Sequence, residues 1–187
     1  MARIEDLAER YGKHIATPWQ RTIAGAQRVI MVVYDKELER TLRARKIAFE
    51  TATRQAQHDW HEVDLSDSFA AWMASDDYQQ EYFKSPEDLQ LKLEAEFPQF
   101  VAGRLRAVLN KPEVTEKSVV AVFGIGALFG FARFSQVMKM VEADVRGRLV
   151  VFFPGQFDQN NYRLLDARDD WNYLAVPITL RNEGGFE

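Results

Sequence analysis

The sequence predicts an α/β fold: a mainly parallel sheet of about four strands with helices on both faces, plus a C-terminal antiparallel hairpin. Three observations lead there. The stretch from Ser118 to Gly155 reads strand, glycine turn, helix, strand, turn. Its two apolar runs, Ser118 to Phe123 and Leu149 to Phe153, are short and valine-rich, as in strands buried on both faces. Earlier in the chain, Gln27 to Tyr34 is a third such run, followed by a long segment with helical periodicity. Two buried strands joined by a helix form a right-handed βαβ unit, because a parallel neighbour needs a crossover.

A first helix over 3–15 carries Ile4, Leu7, Ala8, Tyr11 and Ile15 on one face. Thr17-Pro18-Trp19 ends it, and Trp19 is large enough to pin the next segment to the core. After the strand Gln27 to Tyr34, Asp35 sits where an N-cap belongs. The following helix runs from about Lys36 to Gln57, with Leu38, Leu42, Phe49, Ala52 and Ala56 facing the core. Asp59 to Leu65 alternates as a half-buried strand does. Ser66 caps a short helix over 66–74, and the polar segment 75–84 is expected to be helical with Tyr78 and Phe83 inward. Ser85-Pro86-Glu87-Asp88 starts the next helix: a capping serine, a proline at the first helical position, and acids near the positive helix end. Leu89, Leu93, Phe97, Val101, Leu105 and Val108 carry one apolar stripe to Asn110. A kink or break is expected at Pro98, which has no backbone donor.

After a loop over 110–117 comes the βαβ stretch. Gly124 and Gly126 let the chain turn tightly. A helix is expected from Ala127, with Phe131, Phe134, Met138, Val141 and Val145 recurring on its core side. Arg146-Gly147 stops it, and Pro154-Gly155 closes the strand that follows. Tyr162 to Leu165 and Trp171 to Ile178 then form the hairpin around the charged turn 166–170. The tail 181–187 has little to pack and is expected to be disordered. The whole is read as one domain, 1–187.

Composition sets the function classes. With 47% hydrophobic and 28% charged residues, the chain is ordinary globular protein. Its net charge of −4 makes it a poor general DNA binder, since that affinity comes from cations displacing counterions. It has no cysteine, which excludes disulfides, thiolate metal sites and cysteine nucleophiles. The opening residues lack the apolar run of a secretory signal, and no run is long enough to span a membrane. A cytoplasmic location is expected.

Three kinds of chemistry are candidates. Gly124, Gly126 and Gly130 sit between a strand and a helix, where backbone N–H groups can cradle phosphate. Their spacing is GxGxxxG, however, and no lysine with a following hydroxyl completes a phosphate loop. Ile125, Leu128 and Phe129 fill the loop instead, and the second strand ends in FFPG without the acid that holds a ribose. The core is thus like a P-loop or Rossmann-type core without its Walker A motif, an analogy of fold alone. No cofactor is expected. His58 and His61, with Asp59, Glu62 and Asp64 nearby, have the chemistry of metal ligands, but the segment crosses from helix end to strand. Asp158, Asp166, Asp169 and Asp170 form a second acidic group, more simply read as solvated turns. Interfaces are the third kind. Phe129, Arg133, Gln136 and Met140 form an outward row with the composition of a protein contact. Tyr162, Trp171 and Tyr173 offer a second docking surface on the hairpin. Arg40, Arg43, Arg45 and Lys46, with Arg54, form a basic helix face that is either simply solvated or a contact for an acidic partner or phosphates.

FGIGALFGF, RGRLVVFFPGQFD and NNYRLLDARDDWNYLAVPI, all between Val119 and Ile178, give the chain a resemblance to the BrxB family of BREX bacteriophage-defence components. Before Ser85 the likeness is one of size and arrangement. The resemblance implies a non-enzymatic adaptor or assembly subunit, in systems that block phage and mark host DNA by methylation. Its implied partners are a PglZ-type phosphatase-like protein first and the BREX ATPase second, with a methyltransferase and a BrxA-type DNA-binding protein in the same system. DNA is reached only indirectly. The residues leave one alternative from another class: a nucleic-acid-binding or nucleotide-sensing module.

Overall fold

The computed structural model describes residues 2–167 and 170–180. Its centre is a parallel sheet built from β1 (Val29–Tyr34), β2 (Asp59–Asp64), β3 (Ser118–Phe123), the first part of β4 (Arg148–Asp158) and β7 (Val176–Ile178), in the order β2-β3-β4-β1-β7. Every neighbour on this path is parallel, and in the middle Met31 lies beside Val151, as Val122 does. Five strands rather than four make the sheet, because the chain returns at Val176–Ile178 to flank β1.

The apolar pattern explains the layers. Successive side chains of a strand point to opposite faces. Ile30, Val32 and Tyr34 of β1 enter one core, and Val29, Met31 and Val33 enter the other. One face is covered by α1 (Ala2–Ile15) and α2 (Glu39–Gln55), through Ile4, Leu7, Tyr11, Leu42 and Phe49. The opposite face is covered by α3 (Ser68–Ala74), α5 (Pro86–Leu109) and α6 (Phe134–Val141), with α4 (Gln79–Lys84) packed beside α5. From β1 the chain crosses past β4 and β3 to reach β2, then steps back through β3 to β4. Crossovers of one hand therefore place α2 on one face and α5 and α6 on the other. Burial of Leu42 and Phe49, each fully enclosed, contributes about 1.5–3 kcal/mol apiece to docking α2.

Four expectations need correction. The helix of the βαβ unit begins at Phe134, not Ala127. A 3-10 turn, Ile125–Leu128, comes first, and Gly130 at φ +82° breaks the helical path. Gly124 (φ +79°) and Gly130 are the left-handed glycines, whereas Gly126 has negative φ. Second, β4 does not stop at Pro154-Gly155. It changes partner there: Arg148 to Pro154 lies in the parallel sheet, and Gly155 to Asp158 pairs antiparallel with β5 (Asn161–Leu164). A side chain at Gly155 would collide with the Arg163 carbonyl, so the hairpin closes over glycine. Gln159 (φ 47°) and Asn160 (φ 64°) form its two-residue turn, with both residues left-handed as that tight connection requires. Third, Trp171 to Ile178 is two strands. β6 (Trp171–Asn172) pairs with β5, and β7 joins the main sheet. Fourth, Tyr78 and Phe83 point out, at 66% and 75% exposure, and Tyr82 is the residue of this segment that packs inward.

At Pro98 helix α5 bends no rule fatally: it runs unbroken from Pro86 to Leu109. Leu93, Phe97, Val101 and Leu105 bury on both sides of the proline, and that burial outweighs one lost backbone hydrogen bond. Disorder expected for 181–187 lies outside the described residues, as does Asp169.

Candidate functional site

Open α/β sheets bind ligands at the carboxyl ends of strands, where the crossovers diverge. Here that point lies between β1, whose connection leads to α2, and β4, whose connection leads to the hairpin and β7. A cavity of about 800 Å³ opens there, lined by Tyr34, Asp35, Lys36, Gly155 and Asp166 and by Glu9, Arg10 and Lys13 of α1. Its chemistry is self-neutralising. Lys36 pairs with Asp166 and Lys13 with Glu9. The carboxylate of Asp35 accepts from the Glu37 backbone N–H at 3.0 Å, the capping role read from the sequence. With Asp35, Glu37 and Glu39 gathered at the start of α2, a phosphate would meet carboxylates in place of free N–H groups.

The glycine turn after β3 belongs to the same end of the sheet. A side chain at Gly124 would collide with Ser66 Oγ and the Ser66 backbone nitrogen. Ser66 donates to Asp64 Oδ1 from both its backbone and its hydroxyl. Arg43 reaches the same place, with Nη1 2.8 Å from Asp64 Oδ2, Nη2 2.8 Å from Ser66 Oγ and Nε 2.7 Å from Glu39 Oε1. Tyr34 donates its hydroxyl to the other oxygen of Glu39. Burial pushes the Asp64 carboxyl up, but its bonds from Arg43 and Ser66 more than reverse this and hold it at about 2. Burial, and then its bond to Glu39, raise the Tyr34 hydroxyl far above the ordinary phenol range.

Three more cations of the basic face are paired as well. Arg45 meets Glu5 at 3.0 Å, Lys46 meets Glu62 at 2.8 Å while lying over the Phe123 ring, and Arg54 meets Glu50 at 2.9 Å. Arg40 is exposed. Arg45 ties α2 to α1, and Lys46 and Arg43 tie it to β2, whereas the Arg54–Glu50 pair lies within α2. The histidines do not converge. His58 stacks on Trp19 at 3.5 Å, and His61 sits within β2 with its Nε2 buried and unbonded. Among the described residues, no group of three His, Asp or Glu is placed to hold a metal ion. Asp166 and Asp170 are engaged by Lys36 and Arg163, and Asp158 is exposed.

The interface residues divide. Phe129 ends the 3-10 turn and Arg133 caps α6, so only Gln136 and Met140 lie on the helix itself. Phe129, Arg133 and Gln136 nevertheless line one groove, of about 850 Å³, between α5, the 129–136 segment and the hairpin. Pro98 and Glu94 form its helical wall, and Tyr162, Leu164 and Trp171 form the opposite one. Phe129 is 45% exposed, and Phe131 stacks on Phe69 at 4.2 Å beside it. Leu91, 79% exposed, stands on the adjoining surface of α5, since positions 91, 94 and 98 share one side of a helix. Met140 lies away from the groove, its carbonyl accepting from Arg106 at 2.6 Å. The hairpin surface is smaller than its aromatics suggest. Tyr162 is core, its hydroxyl 3.3 Å from the Ala175 carbonyl, and Tyr173 stacks on Trp171 and donates to Glu142. The helical wall at Glu94 and Pro98 is invisible to sequence periodicity, because it faces the groove only once α5 is docked.

No helix among the described residues is long and apolar enough to cross a membrane. A search of curated proteins and a search of solved structures found no match. The family model for BREX protein BrxB matches residues 61–178, which run from within β2 through β7 and include every residue named above as lining the groove. With more than half of its 187 residues matched, the chain belongs to the BrxB family, the components of BREX phage defence that this model describes.

Proposed function

We propose that this chain is a non-enzymatic adaptor of a BREX antiphage system, working in the cytoplasm, and that its groove holds another BREX component. The PglZ-type protein is the favoured partner and the BREX ATPase the second, with DNA reached only through them. The observation that carries this reading is the groove itself. Its exposed phenylalanine and arginine and its half-buried tryptophan have the composition of interface anchors, and it lies wholly inside the matched region. The paired cations of α2 and the carboxylates at the start of that helix favour a protein partner over a nucleotide or nucleic acid.

The test is co-expression with the PglZ-type protein, followed by gel filtration. The wild type and Met140→Ala co-elute with the partner, whereas Phe129→Ala and Leu91→Ala elute apart from it while keeping native circular dichroism. Separate elution of the wild type from both the PglZ-type protein and the ATPase would sink the reading.

A further inference from the structure

The amino ends of the strands carry a charge cluster that the groove does not use. Arg148 opens β4 and is only 8% exposed. Its guanidinium carbon lies 4.7 Å from the centre of the Trp19 ring, and its Nη1 donates to the Gly147 carbonyl at 3.0 Å. Trp19 also stacks on His58, with the rings 4° from parallel, and His58 Nδ1 is 3.0 Å from the Lys117 carbonyl. Arg28, just before β1, donates to the carbonyls of Val145 and Arg21, and its buried Nε has no acceptor.

Neither Arg28 nor Arg148 has a carboxylate partner among the described residues. Arg43, Arg104 and Arg106 each have one. The cluster repels itself. Burial, then the charge of Arg28, lowers the Arg148 guanidinium below its usual range. Burial lowers His14 and His58 too, and Arg148 adds to both shifts. A cation removed from water without a counter-charge is costly, and folded proteins ordinarily pair it.

We infer that Arg28 and Arg148, with His14 and His58 beside them, form a socket for a phosphate-class oxyanion at the amino ends of β1, β2 and β4. The planar guanidinium fork suits tetrahedral oxyanions, and two arginines match a dianion better than a single carboxylate. The imidazoles complete the match, since an arriving dianion favours their protonated forms. The phosphate could be free or could belong to a nucleic-acid backbone, and one experiment separates the two.

The chain has three histidines, so their ring signals can be resolved by NMR. Inorganic phosphate is titrated at constant ionic strength, and a single-stranded oligonucleotide is titrated in parallel. The expected result is a saturable movement of the His14 and His58 signals, with their protonation shifted to higher pH and His61 unmoved. Saturation by inorganic phosphate identifies a small anion, and a response to the oligonucleotide alone identifies a phosphodiester. Arg148→Gln is expected to weaken binding by about tenfold or more, the size of one lost charge-assisted contact. If that variant does not fold, the half-buried Arg28→Gln decides alone. The inference is overturned if neither probe moves His14 and His58 beyond an equal concentration of chloride, or if the folded variants bind like the wild type.

Discussion

Arg43 and Asp64 are joined at 2.8 Å, and that bond ties α2 to the end of β2. An arginine that sequence alone offers to an acidic partner is thereby held inside the protein. Its three nitrogens reach Glu39, Asp64 and Ser66, and no fork is left to grip a phosphate in two places.

The bond predicts an acid dependence. The Asp64 pKa is lowered in the folded chain to about 2, so its stabilisation is complete above the ordinary carboxylate pKa of 3.8 and is lost as pH falls toward 2. Both side chains are partly exposed, and solvent screening reduces the contribution to about 1 kcal/mol. Urea unfolding of Asp64→Asn should show a deficit of this size at neutral pH that closes as pH falls from about 4 to 2. A deficit that is the same at both ends would mean that the carboxylate's charge is irrelevant.

Gly124 and Gly103 predict opposite signs for one substitution. At Gly124 a Cβ collides with Ser66, and φ is +79°, so Gly124→Ala should destabilise by about 1–3 kcal/mol. At Gly103, inside α5, nothing lies within 4 Å of the added atom. Gly103→Ala should therefore stabilise by about 0.5–1 kcal/mol through helix propensity. Thermal melting of the pair reads both.

The strands were legible because a strand buried on both faces must be apolar over nearly its whole length, as β1, residues 119–123 of β3 and residues 149–153 of β4 illustrate. The start of α6 was not. Phe131 falls at helical spacing from Phe134, yet it packs on Phe69 from outside the helix, after the left-handed Gly130. Periodicity cannot tell these cases apart. It fails at Tyr78 and Phe83 for another reason: α4 has six residues, too few to fix which side is inward. The groove was half legible. Phe129 and Arg133 read as outward, but Pro98 and Trp171 come from distant segments that only the topology brings opposite them. The same holds for Arg28 and Arg148, each at the start of a different strand.

Phe152 carries the centre of one core face. Its ring stacks on Phe123 at 4.5 Å and meets the Phe49 edge at 4.9 Å, with no exposure. Phe152→Ala removes both contacts and leaves a cavity between α2 and the sheet, at a cost of about 3–5 kcal/mol. Phe152→Leu keeps most of the volume and should cost about 1–2 kcal/mol. Denaturant midpoints measure both, and equal losses would show that the aromatic contacts outweigh volume.

Pro98 predicts a conflict between stability and binding. It removes one backbone hydrogen bond from the interior of α5, and proline there is about 3 kcal/mol worse than alanine in an exposed helix. Pro98→Ala restores the donor, but it also deletes buried ring carbons and frees the unfolded chain, each of which offsets part of the gain. A net stabilisation of about 1 kcal/mol is expected. The same ring carbons line the groove facing Phe129 and Trp171. If the groove holds the partner, Pro98→Ala should melt higher yet co-elute less, a combination that simple destabilisation cannot produce. A variant that melts higher and binds as before would place the partner elsewhere on the surface.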